Sequence, residues 1–316
     1  MDSVRKIDEL KRLIESTLTP LIQGDYRLLE IPDYSNVGDM LIFQGELAFL
    51  KTVRHKCLEM ASMRSFAYRL PRISTKEWLI FRGGGYFGNL WQSGFAFQRK
   101  MLSAYPNNPM VILPQSVYFT DEAALRDAVV RYGEHKNLTI CLRDMASYEF
   151  VKKHFKNNCV LAPDMAFYAD IKQYIGANKP QISKSLLLKR DDKEFVQSTT
   201  LESISSRLDV DVMDWPAMSE PISQVELFMR RIGSHPEIFS LFSDWFVKAI
   251  YRPYILRSGV RFLQQYSHIY STRLHGCILG FLLGKRVSAF DNSYGKISSL
   301  IRTWLSDCDN VELCQK

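Results

Sequence analysis

Six cysteines are scattered over 316 residues, at positions 57, 141, 159, 277, 308 and 314, and no two form a C-x-x-C pair. That excludes a dense disulfide framework and predicts reduced thiols in a cytosolic protein. No apolar run reaches the ~20 residues that a membrane-spanning helix needs. The stretch 1–15 is charged throughout, so no signal peptide is expected there. Solenoid-period repeats and low-complexity tracts are also missing. The expectation is a cytoplasmic protein, soluble or peripheral at the inner face of the cell membrane. Acidic residues are in the minority, 34 against 41 Lys and Arg, for a net charge of +7. The imbalance points to anionic partners: phosphorylated metabolites, acidic glycans, nucleic acid or a membrane surface. Nucleic acid is disfavoured, because the basic residues form no stripe interleaved with base-stacking aromatics.

What is present is an ordinary globular composition, 46% hydrophobic and 24% charged, able to bury a full core. Length predicts two domains, and the pattern from residue 27 to about 168 repeats strand, polar tip and helix. Predicted strands are 27–31, 78–81, 110–113, 138–142 and 159–162. The tips that follow them hold Asn36-Val37-Gly38-Asp39, Arg82-Gly83-Gly84-Gly85, Pro114-Gln115-Ser116, Arg143-Asp144 with Ser147, and Pro163-Asp164-Met165-Ala166. Residues 170–183, with Gly176, Asn178 and Pro180, read as a linker. A second unit follows, with strands 185–188, 210–215 and 286–290 and a helix 222–232. We therefore expect an α/β protein of two Rossmann-like domains, 1–175 and 176–316, facing each other across a cleft.

The stretch 268–276 organises this second unit. A β-branched and aromatic run stops at Ser271-Thr272, and Leu274, Cys277, Ile278, Phe281 and Leu282 then take helical spacing. Thr272 reads as the N-cap, which puts Arg273 and His275 in the first helical turn. That end of a helix carries free N–H groups and positive dipole, so two basic residues there suit an arriving anion. Further cations at strand tips are Arg82, Arg143, Lys189, Arg190 and Lys296, of which Arg82 and Arg190 also read as surface residues. Gly83, Gly85 and Gly88 fit a dinucleotide fingerprint, but the next strand lacks the acidic residue that motif needs. A phosphate, carboxylate or sugar is the better match. The basic, aromatic stretch 244–266, which Pro253 should break or kink, has two readings: a helix pair packed on the sheet, or a membrane-surface contact.

Seven of these motifs, in order, resemble the polysaccharide pyruvyl transferase family, and they span roughly residues 28–305. They are Asn36-x-Gly38-Asp39, Gly83-Gly84-Gly85, Leu113-Pro114-Gln115-Ser116, Arg143-x-x-x-Ser147, Pro163-Asp164-Met165-Ala166, Ser271-x-Arg273-Leu274-His275-Gly276 and Asp291-Asn292-Ser293-Tyr294-Gly295-Lys296. The resemblance is to bacterial exopolysaccharide-type members. It implies a fold like the two-domain (GT-B) glycosyltransferases and transfer of pyruvate from phosphoenolpyruvate to a sugar as a ketal. The acceptor is then an oligosaccharide or its lipid-linked precursor, with no cofactor and no obligatory metal.

On that reading His275 is the candidate for proton transfer, with Arg273 and Arg143, then Lys296, for the donor's phosphate and carboxylate. Asp39 is open between a general base near the acceptor and a brace for its own turn. Asn36, Gly83, Gly84, Gly85, Gln115, Ser116, Ser147, Asp164, Lys189, Leu274, Asn292, Ser293 and Tyr294 complete the expected substrate contacts. The N-terminal domain would hold the acceptor and part of the donor site, the C-terminal domain the donor's anionic groups. A glycosyltransferase using a nucleotide-sugar shares the architecture and is the alternative. A non-catalytic binder of anionic glycan is suggested by charge alone.

Overall fold

A computed structural model describes residues 1–176, 184–190, 192, 198–216 and 224–314. Two parallel sheets form the frame of an α/β protein. The first has seven strands: β1 (Tyr26–Leu29), β2 (Cys57–Ala61), β3 (Trp78–Phe81), β4 (Gly84–Phe87), β5 (Met110–Val117), β6 (Leu138–Leu142) and β7 (Asn158–Leu161). Its order is β2-β1-β3-β5-β6-β7, with β4 paired to β5 off that path. The second has five, β8 (Ser185–Leu188), β9 (Val210–Met213), β10 (His268–Ser271), β11 (Arg286–Ala289) and β12 (Val311–Leu313), ordered β12-β11-β10-β8-β9. Short apolar strands separated by helices leave parallel pairing as the natural solution, because each helix carries the chain back along the sheet.

Side chains alternate across each strand, and this alternation builds the core. Leu28, Ile80, Val111 and Leu113 of the first sheet share one hydrophobic cluster with Leu186, Leu188 and Ile269 of the second. Their neighbours Leu29, Leu79, Phe81 and Ile112 face the other way into a cluster of the first sheet's own, and Leu187 faces a small third one. One apolar core thus runs from sheet to sheet. The helix Lys296–Trp304 ties them further: Ser299 donates to Asp144 Oδ1 at 2.9 Å, and Trp304 Nε1 to the Arg143 carbonyl at 2.7 Å.

Several elements depart from expectation. Strand β5 does not stop at Leu113 but continues buried through Pro114-Gln115-Ser116. Proline has no N–H to give to a ladder, and the register with β6 shifts between Ile112 and Gln115 at that point. Beyond the shift, β4 joins at Gly84, so the triple glycine ends in a strand rather than a helix. Strands β2, β4 and β12 were not foreseen. The helix expected at 222–232 is Gln224–Gly233; residues 222 and 223, like linker residues Asn178 and Pro180, lie outside the described ones. Pro253 does not break the basic segment. Helix Pro236–Phe246 runs into a π turn, Val247–Tyr251, and on into helix Arg252–Gln264. The wide turn, with Arg252 N–H reaching the Val247 carbonyl, absorbs the hydrogen bond that proline cannot make.

Candidate active site

The tips after the strands of both sheets meet around a cavity of about 360 Å³. Tyr34, Asn36, Gly38 and Asp39 reach it after β1, Arg82 after β3, Gly85 from β4 and Arg143 after β6. The second sheet adds Arg190 after β8, Trp215 after β9, Arg273, Leu274 and His275 after β10, and Lys296 after β11. Helices begin at this edge, so N–H groups and dipoles add to the side-chain charge. Arg82, Arg143, Arg190, Arg273 and Lys296 line the wall against the carboxylates of Asp39 and Asp192. The excess favours an anion.

Arg143 is the deepest cation, 1% exposed. Its Nη1 donates to Asp164 Oδ2 and its Nε to Ser116 Oγ, both at 2.8 Å. Ser116 donates to Asp144 Oδ2 at 2.7 Å, as does Ser147 at 3.0 Å, while the Ser147 hydroxyl accepts from the Val117 N–H. Asp144 also caps the helix Met145–His154, accepting the Ser147 N–H at 2.9 Å. Serine and aspartate at this strand end therefore lock the arginine in place. A Cβ added at Gly85 would lie 2.8 Å from Arg143 Nη2 and 3.9 Å from Lys296 Nζ. Glycine leaves that corner open between two cations.

His275 stands at the seam of the two sheets. Its Nε2 is buried 3.5 Å from Asp164 Oδ2, without a hydrogen-bond partner. The ring packs on Gly38, where a Cβ would come within 2.5 Å of Nδ1, so only glycine lets the helix Val37–Leu50 approach so closely. Burial would raise the pKa of Asp164, but Arg143 and His275 outweigh it and hold the carboxyl well below its usual range.

Arg82 is buried, 2% exposed, and is no surface residue. Its Nη1 donates to Asp39 Oδ1 at 2.9 Å, its Nη2 to Tyr34 Oη at 3.0 Å and its Nε to the Glu30 carbonyl at 2.9 Å. Tyr34 donates to the other Asp39 oxygen at 2.9 Å. Against the burial that would raise it, Arg82 and His275 keep the Asp39 pKa low, so this carboxylate is a weak proton acceptor. The Asp39 N–H and Gly38 N–H both donate to Asn36 Oδ1, which makes Asn36 the N-cap. Behind Arg82 lie two carboxyls with one orphaned oxygen each, Glu30 Oε1 and Glu46 Oε2. Burial pushes Glu30 up to about 7 and Glu46 up to about 8. Glu46 Oε1 accepts the Gly83 N–H at 2.7 Å.

The second sheet holds its cations differently. Arg190 grips Asp192 through Nε at 2.8 Å and Nη2 at 2.9 Å. Arg273 grips both oxygens of Asp214, with Asp192 3.7 Å away. Arg190 too is buried rather than on the surface. Thr272 is not the N-cap: the helix Leu274–Leu282 starts after Arg273, whose N–H donates to Ser271 Oγ. Thr272 instead accepts the Arg190 N–H at 2.9 Å and donates to the Leu188 carbonyl, stitching β10 to the tip of β8.

Of the residues expected at the site, Asn36, Asp39, Gly85, Arg143, Arg273, Leu274, His275 and Lys296 line the cavity. Gln115 donates to the Arg82 carbonyl at 2.8 Å and accepts the Tyr86 N–H, holding the glycine loop from below with Gly83 and Gly84. Ser116, Ser147 and Asp164 form the layer behind Arg143. Asn292 accepts the Lys296 N–H at 3.0 Å, and Tyr294 accepts from Lys296 Nζ at 3.0 Å while stacking on Tyr118. Lys189 and Ser293 are not in the wall. Tyr34, Tyr86, Asp192, Asp214 and Trp215 were missed. Asp214 was hidden because the strand expected at 210–215 ends at Met213, which puts this carboxylate at the strand end. Among the described residues, no group of three or more His, Cys, Asp or Glu side chains is placed to hold a metal ion.

The sequence pattern of one family, Polysaccharide pyruvyl transferase, matches residues 36–294, nearly the whole stretch that builds this cavity. EpsO of Bacillus subtilis, named as a pyruvyl transferase, is 27% identical over all of this chain and 96% of its own. Pyruvyl transferase 1 of Schizosaccharomyces pombe is 28% identical over 89% of this chain and 70% of its own. A crystal structure of an uncharacterised Klebsiella pneumoniae protein superposes with a TM-score of 0.63 at 18% identity, covering 98% of both chains, a likeness of fold.

Proposed function

This chain belongs to the polysaccharide pyruvyl transferase family of enzymes, and we propose that it moves pyruvate from phosphoenolpyruvate onto a sugar as a ketal. The acceptor is a sugar of an exopolysaccharide or of its lipid-linked precursor. One observation carries the reading: Arg82, Arg143, Arg190, Arg273 and Lys296 converge with His275 on a single cavity between two parallel sheets. A donor with both a phosphate and a carboxylate needs such a cluster. We divide the chain at residues 175 and 176 into two Rossmann-like domains in the manner of GT-B glycosyltransferases, and place the enzyme in the cytoplasm.

Reaction begins with protonation of the donor's methylene carbon, which leaves C2 an oxocarbenium-like centre. One sugar hydroxyl adds to C2 and gives up its proton, phosphate leaves with the C–O electron pair and takes up a proton, and a second hydroxyl adds to C2 to close the ring, its proton replacing the one spent on the methylene carbon. His275, held 3.5 Å from Asp164, supplies the first proton. The open corner at Gly85, between Arg143 and Lys296, takes one anionic group of the donor. Arg273 and Arg190 take the other, sharing their guanidinium groups with Asp214 and Asp192. Asp39, clamped by Arg82 and Tyr34, orients the acceptor rather than accepting its proton.

Incubation with phosphoenolpyruvate and candidate oligosaccharides tests this directly. Phosphate release with a new ketal methyl signal in the product's proton spectrum is expected. Heat protection by uridine or cytidine diphosphate-sugars, with none from phosphoenolpyruvate, would reassign the cavity to a glycosyltransferase donor.

A further inference from the structure

The helix Pro236–Phe246 turns an apolar stripe to solvent: Ile238 is 70% exposed, Leu241 65%, Trp245 54% and Phe242 43%. Their spacing of three and four residues sets them on one side of the helix. Phe242 stacks on Trp245, ring centroids 5.6 Å apart, and Phe228 of the helix Gln224–Gly233 meets Phe242 edge-on at 6.3 Å. Single exposed apolar residues are common, but a contiguous aromatic and aliphatic patch marks a docking surface. Exposed cations flank it along the chain: Arg230 and Arg231 follow Phe228 on its helix, and Lys248 follows Trp245. The acids of the stripe's own helix are occupied. Asp244 is buried, accepting from the Ser62 N–H and Ser65 Oγ, and Glu237 pairs with His235 at 3.1 Å.

Lys248, one turn past Trp245, also enters the wall of a second cavity of about 430 Å³. Lys51, His55 and Arg252 share that wall with Leu47, Leu50 and Met60, and among the described residues no Asp or Glu lines it. Cations above an apolar floor suit a phosphate that carries hydrocarbon chains. We propose that this face docks on the surface of an anionic membrane, the stripe entering the headgroup layer and the second cavity receiving a lipid phosphate. Tryptophan and phenylalanine with a basic rim are the side chains that such an interface rewards. A second copy of the chain is the poorer occupant, since a two-fold contact would set the basic rim against itself. The docking stands apart from whatever the main cavity takes.

Flotation of the full chain with vesicles of phosphatidylcholine alone, and of phosphatidylcholine mixed with phosphatidylglycerol, tests it. The chain should float with the anionic vesicles only. Leu241→Glu and Lys248→Glu, both at exposed positions, should each weaken that binding about tenfold while the far-ultraviolet dichroism stays unchanged. Lys51→Glu should weaken it as well. No flotation by the unaltered chain, or full flotation by Leu241→Glu, overturns the proposal. So does a dimer in sedimentation that Leu241→Glu dissociates, because a second copy would then hold the stripe. Inorganic phosphate that protects against heat as well as short-chain phosphatidylglycerol does would give the second cavity to free phosphate and overturn the lipid assignment.

Discussion

The two walls of the main cavity hold their arginines in opposite ways. On the first sheet, Arg143 and Arg82 are almost wholly buried and are satisfied by Asp164 and Ser116 for one, by Asp39, Tyr34 and the Glu30 carbonyl for the other. On the second sheet, Arg190 and Arg273 fork onto carboxylates in the loops after β8 and β9. Buried pairs resist exchange, because separating them leaves a charge in a medium that cannot solvate it. Asp192 and Asp214 are better solvated than Asp164, with side chains 29% and 19% exposed against 1%, so they yield to a stronger anion at smaller cost. On that contrast the first wall is expected to be preset and the second to rearrange around an arriving anion.

Replacing the residue at the seam should have the largest effect. His275→Ala is expected to lower turnover by about a hundred- to ten-thousand-fold with donor binding much less affected. His275→Asn separates the roles, since an amide donates a hydrogen bond but moves no proton at neutral pH. Substantial turnover by the Asn variant would strip His275 of proton transfer and leave it a static contact. Next comes the comparison itself. Arg143→Ala strands the buried Asp164 and should destabilise the fold by about 3–5 kcal/mol in chemical denaturation. Arg273→Ala should cost about 1.5–3 kcal/mol, and Arg273→Lys should fold normally while losing most activity at limiting donor. Equal losses of stability for the two alanine variants would break the distinction between the walls.

A third test reads the charge buried behind the first wall. Burial raises the Glu46 pKa from 4.5 to about 8, so its stabilising protonated form is fully present below about pH 4.5 and lost as pH rises through 8. Glu46→Gln keeps an acceptor for the Gly83 N–H but does not ionise. Between pH 5 and 9 the unaltered chain should lose on the order of 2–4 kcal/mol that this variant retains. Identical pH profiles would mean that Glu46 is solvated. The smallest effect belongs to the second wall. Asp214→Asn should leave the fold intact and tighten phosphoenolpyruvate by roughly fivefold, about 1 kcal/mol, through release of Arg273. Weaker binding would instead make Asp214 a brace that the arginine needs.

Much of this was legible without coordinates. The alternation of apolar strands and helices implied parallel sheets, and the strand-end rule placed Asn36, Asp39, Arg143, Arg273, His275 and Lys296 where the cavity formed. Gln115, Ser116 and Ser147 it placed one layer too far forward: these polar residues lie behind the wall and satisfy buried backbone and Arg143. Thr272 was misread for a related reason. A threonine before a helix fits an N-cap, but its hydroxyl was claimed by the neighbouring strand tip, and only the fold brings that tip near.

By itself, then, the sequence determined what depends on near neighbours: strand and helix periods, the Asn36 cap, the glycines, and the family to which seven ordered motifs belong. Tertiary structure decided the state of the charged groups. Whether Arg82 is a surface residue or a buried hub, whether Asp164 is ionised, and whether Glu46 keeps its proton all turn on partners dozens of residues away. Burial and Coulomb interaction act through space, and a linear order of residues does not carry those distances.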